Sequence, residues 1–186
     1  MTDLTTLPDG LPVPVDDGAC DHLAGGRIPP VLLTGSSGHV VNLAALSGRA
    51  VVYFYPAIGR PGAPLGPEWN AVPGARGCTP QACGFRDHHA ELQALGVRTY
   101  AVSAQPLADQ QEAGRRLELP FELLNDSALE LATAMRLPTF EYKGVTLIKR
   151  LSLIVSDGEI EKVFYPVFPP DRSAAEVVDW LRNHPR

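Results

Sequence analysis

The chain has 186 residues, 45% hydrophobic and 20% charged, which fits one globular domain with a full core. Sixteen basic and 21 acidic side chains give a net charge of −5 with no basic run, which argues against nucleic acid as a partner. No apolar stretch approaches ~18 residues, so no membrane span is expected. Three cysteines, an odd number, do not make a secreted disulfide framework.

Residues 1–8 lack the charged and apolar regions of a signal peptide, so the chain reads as cytoplasmic. Residues 1–28, rich in Pro, Gly and Asp, read as an N-terminal arm laid on the surface of a domain spanning 29–186. Cys20 sits in this arm among Asp16, Asp17, Asp21 and His22. Solvated side chains are the plainer reading there, because no second ligand pair at metal spacing supports a metal. Residues 30–33 and 39–43 flank Gly35, Ser36, Ser37 and Gly38 as a β-hairpin, and the β-branched and aromatic run 50–55 reads as a buried strand.

Between that strand and the next helix, residues 56–77 carry five prolines and five glycines. A long irregular loop in a compact domain is often functional, for instance as a lid, and a tolerated surface insertion is the alternative. Burial of Trp69 is expected to pin it, close enough to Cys78 to shape access to the thiol.

Phe85, Leu92 and Leu95 then recur at helical spacing before Gly96, so Cys78 lies where a strand connection enters a helix. Thr79 can act as N-cap and Pro80 fits the first turn. Unpaired backbone N–H groups and the positive end of the helix favour a thiolate there, which makes Cys78 a candidate nucleophile. Cys83 is five residues on, at a Cα separation of about 8.6 Å in a helix, beyond the ~7 Å that a disulfide spans without backbone movement. A bond between the two would require the first turns to unwind, which suits a catalytic cycle better than a staple. Two small, buried apolar side chains remain the other reading. His88 and His89 follow at a spacing that is no zinc-finger pattern, with His89 expected against the core and His88 in solvent. Arg86 and Asp87, being adjacent, are expected to find separate partners.

Residues 97–103 form a second strand, so strand, helix and strand make a βαβ unit with a parallel pair. A helix over 107–117, a brief strand over 121–124 and a helix capped by Asn125, Asp126 and Ser127 that runs to about Met135 follow. Residues 145–155 and 159–165, joined by Ser156, Asp157 and Gly158, read as an antiparallel hairpin. Residues 164–170 form an apolar, proline-rich cluster expected to pack within the monomer. Ser173 is expected to cap a last helix through Leu181, with Val177, Val178 and Leu181 facing inward. The sum is α/β: a mixed central sheet flanked by helices, with an N-terminal hairpin and a cysteine at the first βα junction in a thioredoxin-like arrangement.

From about Arg27 to Leu181 the chain resembles a peroxiredoxin, most closely the bacterioferritin-comigratory (Q-type) subgroup. Residues 77–87, Gly-Cys-Thr-Pro-Gln-Ala-Cys-Gly-Phe-Arg-Asp, match that subgroup's G-C-T-x-x-A/S-C-x-F-R-D. Residues 53–56, Tyr-Phe-Tyr-Pro, match its Y-F-Y-P, and residues 149–155 with Asp157 and Gly158 resemble its arginine-bearing strand and turn. The resemblance implies a thiol-dependent peroxidase in which Cys78 is the peroxidatic cysteine, Cys83 the resolving one and Arg150 the active-site arginine. It further implies peroxide as substrate, thioredoxin or a similar dithiol as reductant, a monomer or weak homodimer, and neither metal nor organic cofactor. Two departures stand out: Ala75 occupies the position where the family has threonine, and residues 57–76 are an insertion beside the active site. A hydroxyl from the inserted loop or from Tyr55, or the guanidinium of Arg76, could replace the missing one. A redox sensor or binding domain with little turnover is the alternative on the same scaffold. A thiol–disulfide oxidoreductase is less favoured, because four residues rather than two separate the cysteines.

Overall fold

The computed structural model describes residues 5–63 and 65–186; residues 1–4, the first half of the stretch read above for a signal peptide, and Pro64 of the inserted loop lie outside them. Apolar β-formers place Arg49–Phe54 (β3) at the heart of a seven-stranded sheet, with every residue after Arg49 buried. β3 pairs in parallel with Val97–Ser103 (β4), which pairs in parallel with Glu122–Asn125 (β5). The remaining pairings are antiparallel. Leu32–Gly35 (β1) joins β5 to Val40–Asn42 (β2) as the expected hairpin, and Leu151–Ser156 (β8) joins β3 to Glu159–Phe164 (β9). The mixed α/β, thioredoxin-like sheet expected from the sequence is therefore present.

Period-two alternation splits β3 between two core layers, because successive strand side chains point to opposite faces. Val51 and Tyr53, with Tyr55 just beyond the strand, face a layer formed by Cys78–Asp87 (α1), Leu92 of His89–Ala94 (α2), Leu107–Arg116 (α3) and Ser173–Asn183 (α5). Val52 and Phe54 face the other, where Leu131 of Glu130–Ala134 (α4) meets residues of the N-terminal segment. Cys20, Leu23 and Ile28 are buried in this second layer, so the segment read as a surface arm is part of the core from Cys20 onward. Backbone bonds from Gly25 to Ile160 (2.9 Å), from Ile28 to Gly158 (2.9 Å) and from Ile160 to Gly26 (2.8 Å) stitch it to β9.

Four local expectations are corrected. Residues 145–155 are not one strand: Val145–Ile148 (β7) pairs with Thr139–Tyr142 (β6) in a separate two-stranded sheet, and the chain then enters β8. The β6–β7 hairpin turns at Lys143 and Gly144, both at positive φ, and gives the inserted loop an apolar seat. His88 interrupts the helix expected after Cys78, dividing α1 from α2. α4 starts at Glu130, capped from a distance by the Asp126 carboxylate, which accepts from the Leu131 and Ala132 amides at 3.1 and 2.9 Å. Ser173 is the first residue of α5 and caps nothing; its buried hydroxyl turns instead toward Gln81 and Ser152.

Candidate active site

α1 begins at Cys78, and Gly77 before it is in the left-handed region (φ +109°). A Cβ at Gly77 would sit 2.2 Å from Pro170, so glycine is required by both backbone and space. Thr79, expected as N-cap, is instead the buried second residue of the helix; Gly77 holds the capping position with no side-chain bond. The first helical bond runs from the Gln81 amide to the Gly77 carbonyl (3.0 Å), leaving earlier amides at the helix mouth beside the Cys78 sulfur. The 164–170 cluster closes over this end within the monomer, with Val167 and Pro170 buried.

Cys78 is 3% exposed. Its Sγ accepts a hydrogen bond from Arg150 Nη2 at 3.1 Å and contacts the Ala75 carbonyl at 3.6 Å. Arg150 lies at the break between β7 and β8, which turns its side chain inward to 4% exposure. Its guanidinium donates to the carbonyls of Gly74 (3.3 Å), Ala75 (3.0 Å) and Arg76 (3.4 Å), and to Gln81 Oε1. A guanidinium offers five donors in a rigid fork, and here the inserted loop supplies carbonyls to that fork. Gln81 is fully buried and donates onward to Ser173 Oγ at 3.3 Å, so it ties Arg150 to α5. The sequence reading did not single it out. The available signal was position: a polar residue three places after Cys78 shares its helix face.

No serine, threonine or tyrosine occurs in residues 57–76, so the inserted loop has no hydroxyl with which to replace the threonine that Ala75 displaces. Tyr55 is buried at the end of β3, and burial, reinforced by Cys78, raises its pKa, which keeps it a neutral phenol. Tyr53 is likewise held protonated by burial; it stacks on Phe85 at 4.3 Å, and among the described residues its hydroxyl has no hydrogen-bond partner.

Cys83 is on the sixth residue of α1, half-buried in the layer that contains Cys78, and burial raises its pKa. Both thiols are free and α1 is continuous between them. Arg86 and Asp87 pair with each other at 2.9 Å, contrary to the expectation of separate partners, because they fall at the end of α1, where Arg86 also donates to the Leu117 carbonyl. His89 packs near Phe121, while His88 is bonded to Glu91 at 3.0 Å. Among the described residues no three His, Cys, Asp or Glu side chains are grouped to hold a metal, and no helix is long and apolar enough to cross a membrane.

The inserted loop is tied down along its length. Gln105 brackets Ile58, accepting from its amide (2.7 Å) and donating to its carbonyl (3.1 Å), and Arg116 donates to the Gly59 carbonyl at 3.0 Å. Tyr142 donates to the Leu65 carbonyl at 2.6 Å. Trp69, 2% exposed, packs edge-on against Tyr142 at 4.8 Å, as the burial expectation required.

Residues 23–178 match the family model described as Redoxin. The chain is 31% identical to peroxiredoxin Bcp of Escherichia coli K12 over 166 residues, covering 87% of this chain and 96% of that one. It is 26% identical to the chloroplastic peroxiredoxin Q of Oryza sativa subsp. japonica over 160 residues, covering 86% of this chain but only 66% of the rice protein. Among solved structures, the peroxidoxin BcpB of Mycobacterium tuberculosis superposes with a TM-score of 0.70 at 22% identity, covering 86% of this chain and 96% of that one.

Proposed function

The chain belongs to the Redoxin family as a peroxiredoxin, and from that premise we propose that it is a thiol-dependent peroxidase working through Cys78, Cys83 and Arg150. The observation that carries the assignment of residues is the 3.1 Å hydrogen bond from Arg150 to the sulfur at the first position of a helix.

The Cys78 thiolate attacks one oxygen of hydrogen peroxide or an organic hydroperoxide. An S–O bond forms as the O–O bond breaks, and the leaving oxygen takes a proton and departs as water or an alcohol. Two electrons leave the sulfur, which becomes a sulfenic acid. Arg150 favours the thiolate and stabilises the charge that develops on the leaving oxygen, while the helix amides add fixed dipoles. The Cys83 thiol then condenses with the sulfenic acid, forming the S–S bond and releasing water, once α1 has unwound locally. An external dithiol, thioredoxin or a similar cytoplasmic protein, restores both thiols by exchange. Cys78, Cys83 and Arg150 all come from one chain, so peroxide reduction and disulfide formation need no residue of a partner subunit, and only the regeneration step calls on another protein.

The test is stopped-flow oxidation of the reduced protein by peroxide, with mass spectrometry of the products, on the wild type, Cys78→Ser and Cys83→Ser. Rapid oxidation that vanishes in Cys78→Ser and stops at a sulfenic acid in Cys83→Ser is the expected result. Oxidation no faster than that of a free thiol would overturn it and leave the sensor reading, which the loss of the hydroxyl at position 75 favours.

A further inference from the structure

We propose that residues 7–17 form a strap across the mouth of α1 that must lift before a reagent reaches the Cys78 thiol, with Leu7 as its inner contact and Asp17 as its clasp. The segment lies outside residues 23–178, which match the family model, and belongs to no helix or strand. Pro8, Pro12 and Pro14 remove three backbone donors, so it cannot join a sheet as an ordinary strand. Its burial is one-sided: Leu7, Leu11 and Pro14 are half-buried, whereas Asp9, Val13 and Val15 are exposed. The inner side meets the site at two places. A Cβ built on Gly77 would lie 2.8 Å from Leu7 Cδ2, so Leu7 sits against the residue that precedes the nucleophile. A Cβ on Gly74 would lie 3.4 Å from Pro14, so the strap also reaches the loop residue whose carbonyl accepts from Arg150.

Under this cover both Cys78 and Arg150 are buried, although the thiol has to meet reagents from solution. The strap is fastened where it can be released. Asp17 accepts from Lys149 Nζ at 2.9 Å and from the Tyr165 hydroxyl at 2.8 Å, and Lys149 is the neighbour of Arg150 in the chain. Asp17 and Lys149 are both partly exposed, and an exposed ion pair holds weakly. A segment with so few buried contacts opens more readily than the sheet beneath it. The Leu7 contact also ties the strap to the helix. The first turn of α1 must unwind before Cys83 can reach Cys78, and Leu7 packs against the residue where that turn starts. Lifting the strap therefore admits the reagent and frees the helix mouth together. Access to the thiol is at issue whichever reagent arrives, so the strap stands apart from the peroxidase reading.

The experiment follows alkylation of each reduced cysteine by iodoacetamide with time-resolved mass spectrometry. The proteins are the wild type, the double variant Leu7→Ala/Asp17→Ala and the control Asp17→Glu, which keeps a carboxylate for Lys149 and Tyr165. The ratio of the Cys78 rate to the Cys83 rate is the readout, because global unfolding or melting of α1 exposes both thiols and cancels. The double variant is expected to raise that ratio roughly tenfold, the equivalent of about 1.4 kcal/mol in the closing equilibrium, while Asp17→Glu keeps it. Oxidation of Cys78 by hydrogen peroxide should rise by the same factor in the double variant. A ratio that the double variant leaves unchanged, or raises no further than Asp17→Glu does, overturns the strap and leaves the peroxidase intact. Faster alkylation without faster oxidation overturns its control of the reaction. A wild-type thiol inert to peroxide overturns the peroxidase reading, and the alkylation ratio still decides the strap.

Discussion

Arg150 and Cys78, 72 positions apart in the chain, meet at 3.1 Å because the strand pairing changes just before β8 begins. Had residues 145–155 continued as one strand, the arginine would have stayed in the pleat of a sheet. The break instead drops it beside the helix mouth, where the inserted loop's carbonyls fix its plane. Replacing Arg150 with alanine removes a preorganised cationic donor, and the rate of Cys78 oxidation is expected to fall about 10²–10³-fold. Arg150→Lys keeps the charge but not the fork, and should recover only part of the loss. Stopped-flow oxidation by hydrogen peroxide checks both, and a lysine variant at wild-type speed would show that charge alone matters.

Gln81 holds the other side of that guanidinium. Gln81→Leu leaves a buried Arg150 N–H and the Ser173 hydroxyl each without this partner, at a stability cost of about 1–3 kcal/mol. It should also slow Cys78 oxidation about tenfold as the guanidinium swings, the equivalent of about 1.4 kcal/mol. Gln81→Glu restores an acceptor to Arg150 and is expected to regain the rate. Urea unfolding and oxidation kinetics on the same three proteins separate the effects: lost stability with no lost rate would make Gln81 a packing residue only.

Burial, with Asp17, Asp16 and Asp21 adding to it, pushes the Cys20 thiol from an ordinary 9.0 up to about 12. Because the folded value is the higher one, the buried thiol's contribution to stability is complete below pH 9 and is lost as the pH rises toward 12. The urea midpoint of the wild type should therefore fall more steeply between pH 8 and 11 than that of Cys20→Ala. Cys83, whose pKa is also raised, titrates in both proteins, so the difference in slope belongs to Cys20. Parallel slopes would contradict this. At neutral pH Cys20 should be alkylated more slowly than Cys78.

What could be read from the sequence was what local physics decides. The run 50–55 declares β3 through its β-branched and aromatic residues, and Cys78 declares itself through the helix that starts there. What could not be read depends on distant partners. Nothing near Gln81 announces an arginine 69 positions later, and nothing near Cys20 announces that it shares a core layer with Leu131 and Met135. The break at Arg150 was hidden because the residues on both sides favour strands and no glycine or proline separates them. The β6–β7 turn at Lys143 and Gly144 was legible in principle, since a glycine between short apolar runs is a hairpin signal. Its β6 strand was overlooked because exposed and half-buried residues alternate weakly over only four positions.

Trp69 tests whether the inserted loop is structural padding or part of the site. It shares a small apolar cluster with Ala57, Leu147 and Ala75, the residue whose carbonyl meets both Arg150 and Cys78. Truncating a buried tryptophan costs about 3–5 kcal/mol, and this cluster is separate from the two main core layers. The loss should therefore appear as local opening of the loop rather than as global unfolding. In Trp69→Ala, amide exchange is expected to quicken at Ala75, which bonds the Val72 carbonyl at 3.1 Å, while the amides of β3 keep their protection. Cys78 oxidation should slow with it, since the Ala75 carbonyl no longer holds the guanidinium in place. Trp69→Phe, which preserves an aromatic contact with Tyr142, should lie between. If Trp69→Ala frees the loop amides yet Cys78 reacts at the wild-type rate, the loop's grip on Arg150 is not what sets the chemistry.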